Sequence, residues 1–192
     1  MQTRHHYERA FERFLRDNRI PYVAVDEARK ALLPENAPLA ASRDRGEPMR
    51  ALKSFDFVVY AAPDDPRTPN LLVDIKGRKV PRSAPGAPPP SRSKLQNWVT
   101  EDDVESLHTW QALFGEGFRA AFIFVYWCDD QPPDGLFQEV FEHHGRWYAV
   151  RAVALDDYAR AMRPRSRRWR TVHLPAAAFE RLSRPFTGAG TP

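Results

Sequence analysis

With 192 residues, 42% of them hydrophobic and 28% charged, the chain holds enough apolar material for one domain, yet its longest apolar run, Ala120 to Cys128, falls far short of the ~20 residues that cross a bilayer. The N-terminal MQTRHHYERAF puts charge where a signal peptide needs its apolar stretch, and the single cysteine, Cys128, excludes a disulfide framework, a cysteine zinc finger and an iron–sulfur cluster, so a soluble cytoplasmic protein without membrane contact is expected. The net charge of +4 is uneven, because from Arg151 onward nine arginines face only Asp156, Asp157 and Glu180, and the basic surface therefore belongs to the C-terminal part.

Residues 4–18 read as a helix, with Tyr7, Ala10, Phe11, Phe14 and Leu15 on one face at 3.6-residue spacing. Glu8 lies roughly 70° from the centre of that stripe and Glu12 about 110°, so Glu8 reaches the rim of the core while Glu12 faces water. Pro21 closes the helix, Tyr22 to Val25 is a short strand, Asp26 to Leu33 has helical character, and residues 34–50 lose all periodicity. A loop of that length is more often functional than idle. SFDFVVY (54–60) and LLVDIK (71–76) are strand-like, and AAPDDPRTPN between them is turn chemistry, so an antiparallel pair is expected. The proline-rich stretch 81–94 suits neither a helix nor a central strand and reads as a stiff or disordered excursion. Thr100-Glu-Asp-Asp starts a helix with acids at the positive end of its dipole, and Val104, Leu107, Trp110, Ala112, Leu113 and Phe114 give it an apolar face up to Gly115. Residues 120–127 are almost continuously apolar, which predicts a central strand covered on both faces. Past the turn QPPDG, residues 136–143 and 146–153 read as a hairpin through His144-Gly145, followed by a helix over 155–162, a strand over 169–174, a helix over 176–182 and a disordered tail over 187–192.

Chemistry enters at Asp74-Ile75-Lys76, because residues i and i+2 of a strand share a face and here put an acid and a lysine into one pocket. Taken alone, such a pair is a strand-end salt bridge. Asp56, flanked by Phe55 and Phe57, is expected to point away from both rings and bring a second carboxylate to the same pocket. Two facing carboxylates repel unless a cation lies between them, and such oxygen ligands suit Mg²⁺ or Mn²⁺ rather than zinc. A lysine beside the ion can orient and deprotonate an attacking water or stabilise charge that develops on phosphorus. Lys53, Arg78 and Lys79 flank this pocket in sequence, either as phosphate ligands or as solvated charges. Trp98 and Gln111 follow the acid-bearing strand, as accessory residues or as packing. RPRSRRWR (163–170) sets Trp169 among Arg165, Arg167, Arg168 and Arg170, a combination suited to phosphates plus a stacking face. The tandem pairs His5-His6 and His143-His144 are poorly spaced for one metal and read as surface residues, and Cys128 as an inert buried thiol.

The succession of a helix with Glu8, two strands of which the second holds Asp56, a strand with Asp74-x-Lys76, then a helix and a strand resembles the PD-(D/E)XK nuclease superfamily and its αβββαβ core, over about residues 5–127. Within it the likeness is to archaeal Holliday junction resolvases, where a helical Glu precedes the first core strand, an Asp opens the second and an acid-x-Lys ends the third. HHYERAFERFL, KSFDF (53–57) and DIKGRK (74–79) also resemble the HYExAFE family, whose name describes His6 to Glu12. Phe55 stands where the superfamily usually has a proline, and the second acid is Asp rather than the commoner Glu. The resemblance implies an α/β, restriction-endonuclease-like fold with a central mixed sheet flanked by helices, to which the C-terminal hairpin and helices are added. A single domain over 1–186 then comprises a core (4–128), the proline-rich insertion (81–94) and an extension (136–186). It implies a divalent-metal-dependent nuclease that hydrolyses phosphodiester bonds of DNA and selects substrate structure. Asp56, Asp74 and the Ile75 carbonyl would bind Mg²⁺ or Mn²⁺, Glu8 would ligate the ion or orient a water, and Lys76 would position the nucleophile. It also implies a homodimer that pairs two active sites. The alternative is a nuclease-like fold without catalysis that binds nucleic acid or a protein partner, and a third reading is a structural domain whose Asp74–Lys76 pair is only a salt bridge.

Overall fold

Helix α1 (His5–Asp17) buries Ala10, Phe11, Phe14 and Leu15 as its periodicity predicts, and Glu12 faces outward to pair with Arg16 and the Tyr22 hydroxyl. The computed structural model describes residues 5–25, 52–65, 67–80, 94–132 and 136–191; the expected helix over 26–33, the loop over 34–50 and the proline-rich stretch 81–93 lie outside the described residues. β1 (Tyr22–Ala24), β2 (Phe57–Val59) and β3 (Asn70–Lys79) form an antiparallel meander. The two-residue β4 (Val99–Thr100) leads straight into α2 (Glu101–Phe114). That helix carries the chain back so that β5 (Phe118–Cys128) runs parallel to β3 along its whole length, Asn70 opposite Phe118 and Lys79 opposite Trp127. A parallel neighbour requires such a crossover, whereas antiparallel strands need only a turn.

β6 (Phe141–His143) and β7 (Arg146–Ala154) are joined through His144 and Gly145, both at positive φ (51° and 70°), the two-residue turn whose twist matches that of a hairpin. α3 (Leu155–Ala161), β8 (Arg163–Ser166), β9 (Thr171–His173), α4 (Ala176–Leu182) and β10 (Arg184–Pro185) follow. The result is a mixed α/β fold. Its central mixed sheet has the order β1-β2-β3-β5-β7-β10, with β6 also on β7, and a small second sheet has the order β4-β9-β8. β5 lies between β3 and β7 and is buried from Ala120 to Tyr126, as its apolar run predicts. Its alternate residues feed two cores: Phe122 and Phe124 join Trp110 and Tyr158 on the face of α2 and α3, while Ala121, Ile123 and Val125 join Phe11 and Leu15 of α1 on the other. Among the described residues no helix is long and apolar enough to cross a membrane.

The structure departs from expectation where strands are short. β4, β8 and β10 carry too few residues for a period of two to register, and the strand expected over 136–143 shrinks to 141–143. Residues 187–191, expected as a disordered tail, are tied to the fold. Phe186 is buried against Phe11 and Phe14, Ala189 is buried after it, and Thr187 and Thr191 bond to each other.

Gly77 sets how closely α1 approaches β3, because a Cβ at this position would come within 2.2 Å of the Tyr7 ring. Tyr7 precedes Glu8, so the same contact fixes where Glu8 stands. We expect Gly77→Ala to cost about 1–3 kcal/mol through overpacking, seen as a lowered midpoint of thermal unfolding. Adding Tyr7→Ala should recover part of that loss, and strictly additive losses would show that the two positions are not coupled.

Candidate active site

β2 and β3 part at Asp56. The Asp56 amide still donates to the Val73 carbonyl (2.8 Å) and its carbonyl accepts from Val25 (3.1 Å), but the next inward amide of β3, that of Ile75, donates to the Asp56 carboxylate Oδ2 at 2.6 Å. A side chain has replaced the ladder carbonyl, so the strand pairing stops without leaving a buried amide unsatisfied. Asp56 lies close enough to Asp74 for the two carboxylates to act on each other as like charges. The sequence-based expectation that Asp56 points away from both flanking rings is corrected here. Phe55 packs on Trp110 and Phe114 in one core and Phe57 on Phe11 and Tyr22 in the other, because the chain leaves regular strand geometry at Asp56.

Asp74 and Lys76 share the face covered by α2, as their spacing predicts. Lys76 Nζ lies 2.9 Å from Asp74 Oδ2 and 3.2 Å from Asp103 Oδ2. Asp103 is the site residue that sequence reasoning missed, having been seen only as a first-turn acid. It also closes a capping box, its amide donating to Thr100 Oγ1 (3.1 Å) and its Oδ2 accepting from the Thr100 amide (2.9 Å). The Thr100-x-x-Asp103 spacing marks the helix start, but nothing local shows that the start lands beside Lys76. Lys53 adds a second cation, its Nζ 2.8 Å from Asp103 Oδ1 and 2.9 Å from Thr100 Oγ1.

Burial pushes the Asp56 carboxyl up to about 7, with the Asp74 and Glu8 charges adding to the rise against the Ile75 hydrogen bond. This is how α1 bears on the site: Glu8 acts on Asp56 as a like charge. Burial likewise lifts Asp74 to about 6, with Lys76 opposing. Asp103 is buried too, yet Lys76, Lys53 and Thr100 outweigh that and hold it at about 2. Burial draws the Lys76 ammonium down, but Asp74 and Asp103 together overcome it and keep Lys76 above the ordinary lysine value. Lys76 is therefore charged at neutral pH and is shared between Asp74 and Asp103, while Lys53 pairs with Asp103.

The remaining candidates divide. Arg78 lies with its guanidinium 4.2 Å from the centre of the Trp98 ring and donates to the Trp98 and Gly77 carbonyls, so it holds Trp98. Lys79 pairs with Asp129 at 2.9 Å over the Trp127 ring, away from Asp74. Gln111 is not an accessory residue of the pocket: its Oε1 accepts from the Ala120 amide at 2.6 Å and ties α2 to β5. Arg170 is taken up by Glu101, Asp102 and Glu105 on α2. Arg165, Arg167 and Arg168 are exposed, Arg165 lying over Trp98 at 5.1 Å. Cys128 is buried, and burial pushes its thiol up to about 11, as expected of an inert residue. His6 is half-buried with Nδ1 3.1 Å from the Tyr148 hydroxyl, and His143 and His144 form the hairpin end. Among the described residues no three His, Cys, Asp or Glu side chains are grouped so as to hold a metal ion by themselves. Compared with family models, curated proteins and solved structures, the chain matches none.

The raised carboxyls make stability pH-dependent. Between the ordinary aspartate value of 3.8 and about 7, folded Asp56 keeps a proton that the unfolded chain releases, so stability falls as pH rises through that window. In chelator at pH 8, Asp56→Asn should unfold about 2–8 °C above the wild type, a gain of one to two kcal/mol for a chain of this size. The difference should vanish as pH falls toward 4. A midpoint at pH 8 equal to or below that of the wild type would contradict the assignment.

Proposed function

We propose that this chain is a divalent-metal-dependent nuclease that hydrolyses phosphodiester bonds of DNA, built on a PD-(D/E)XK-type core. The observation that carries the reading is the convergence of Asp56, Asp74 and Lys76 where β2 and β3 separate, with Asp74 and Lys76 in contact and the Asp74 and Lys76 charges both acting on Asp56. Among the described residues the order α1-β1-β2-β3-α2-β5, interrupted only by the two-residue β4, supports it as an αβββαβ succession.

The donor set fits Mg²⁺ or Mn²⁺. Mg²⁺ takes one or two protein carboxylates and fills its shell with water and substrate phosphate oxygens, which suits the pair of half-buried Asp56 and buried Asp74. Asp56 and Asp74 would hold the ion with the Ile75 carbonyl, each acid using the oxygen not committed to Ile75 or Lys76. A bound ion supplies Lewis-acid polarisation of the scissile phosphate and neutralises the charge it develops. Lys76, kept protonated by its two acid partners, presents a fixed cation to a phosphate oxygen or the attacking water rather than acting as a base. Asp103 is a positioning residue, holding Lys76 from the far side while Lys53 balances its second oxygen. Glu8, whose charge acts on Asp56, would orient a water.

The test is cleavage of labelled branched, single-stranded and duplex DNA with Mg²⁺ or Mn²⁺. Asp74→Asn and Lys76→Ala should each lower the rate at least about 100-fold, the loss typical of removing one group that stabilises transition-state charge. Circular dichroism melts of both variants separate that loss from unfolding, since breaking a buried pair costs about 3–5 kcal/mol. Wild-type protein that cuts no substrate, or folded variants that cut as fast as wild type, would overturn the proposal.

A further inference from the structure

Beside the acid site lies a second feature of different chemistry. A cleft of about 450 Å³ is lined by Trp98, Thr100, Arg165, Ser166, Trp169 and Thr171, on the small sheet of β4, β8 and β9. Trp169 is 68% exposed, the one large hydrophobic side chain so placed among the described residues. An exposed indole forgoes the gain that large apolar side chains make when they are covered.

The turn that displays Trp169 is anchored. Arg170 adopts a positive φ of 45°, its amide donates to the Arg167 carbonyl (3.3 Å), and its own carbonyl accepts from Glu101 (2.9 Å). Its guanidinium lies 2.9 Å from Glu101, 3.0 Å from Asp102 and 3.6 Å from Glu105. The Trp169 amide donates to Ser166 Oγ at 3.3 Å. Trp169 is thus held outward on a braced turn. Around it the charges sort themselves: Arg170 is fully paired, while among the described residues Arg165, Arg167 and Arg168 have no carboxylate partner. Arg165 and Arg168 lie over the Trp98 and Trp169 rings at 5.1 and 5.2 Å.

We propose that this cleft is a stacking site for an unpaired nucleobase, with the adjoining phosphates on Arg165, Arg167 and Arg168, so that the protein engages a single-stranded stretch of nucleic acid rather than continuous duplex. Indole faces bind the π-faces of bases, which a duplex keeps covered by their neighbours, and uncommitted guanidinium groups bind phosphate in either form. The cleft abuts the acid site. Thr100 lines it while bonding to Lys53 and Asp103, and Arg78, which holds Trp98, follows Lys76 by two residues on the same face of β3. A strand stacked in the cleft therefore continues toward Asp74 and Lys76. That continuation rests on the nuclease reading; the stacking itself does not.

The experiment is fluorescence anisotropy in chelator, with labelled oligothymidylate and a blunt hairpin duplex carrying the same number of phosphates. Wild type should bind the single strand about tenfold more tightly, and Trp169→Ala should weaken single-strand binding at least about fivefold while leaving duplex binding within about twofold. Arg165→Ala/Arg168→Ala should lower the slope of log affinity against log salt by about 1–2. Because Trp169 is exposed, its removal does not threaten folding. Duplex binding as tight as single-strand binding, or an unaltered Trp169→Ala variant, overturns the stacking site, and it does so even if Mg²⁺-dependent cleavage is found. Trp169-dependent single-strand binding without cleavage of any substrate supports the stacking site and overturns only the nuclease reading.

Discussion

The Ile75 amide must have an acceptor, and the one it has is a carboxylate. A buried N–H left unpaired costs about 1–3 kcal/mol, and Asp56 Oδ2 at 2.6 Å removes that cost where the β2 carbonyl ladder has already ended. Two consequences follow from this one bond. β3 is paired with β5 along its full length but with β2 only over Leu71 to Val73, so among the described residues the half that carries Asp74, Lys76 and Arg78 has no strand on its β2 side. The same bond fixes a carboxylate at the head of that opening, near enough to Asp74 for the two charges to act on each other. The cleft and its first acid are products of a single local choice of hydrogen-bond partner.

The second constraint is the parallel pairing of β3 with β5. It forces a crossover, the crossover is α2, and the start of α2 therefore has to lie over β3. Asp103 serves both ends of this arrangement, closing the capping box through the Thr100 amide while facing Lys76 and Lys53. Lys76 is raised by Asp74 and Asp103 together, and Lys53 and Thr100 add to its hold on Asp103, so Asp103 is lowered while burial leaves Asp74 and Asp56 raised. Burying like charges without full compensation lowers the stability of the resting protein, and a divalent cation removes that strain. If the proposed ion binds between Asp56 and Asp74, it would relieve the like-charge repulsion that adds to burial in raising both carboxyls.

Much of this was legible in the sequence where a period or a short spacing carried it. The α1 face, the central placement of β5, the helix start at Thr100 and the shared face of Asp74 and Lys76 each rest on 3.6- or 2-residue periodicity, which is local. What was not legible depends on chain crossings. Asp103 joins Lys76 only because of the crossover, and Gln111 and Arg170 are spent on tertiary bonds that no spacing announces. Asp56 was singled out for the pocket on the premise of an unbroken strand, and the strand in fact breaks there, since a hydrogen bond from a residue 19 positions away redirects it. The arginine run was readable as charge, but the anchoring of Arg170 while Arg165, Arg167 and Arg168 stay without a carboxylate partner among the described residues is a property of the fold.

The central claim is that Asp56 and Asp74 together form a site for a divalent cation. It is tested most directly by titrating Mn²⁺ into the protein at pH 7.5 and counting bound ions by electron paramagnetic resonance, with no nucleic acid present. Saturable binding of about one Mn²⁺ per chain, displaced by Mg²⁺ and lost in both Asp56→Asn and Asp74→Asn, is the predicted result. Absence of saturable binding, or binding that survives both substitutions, would contradict it.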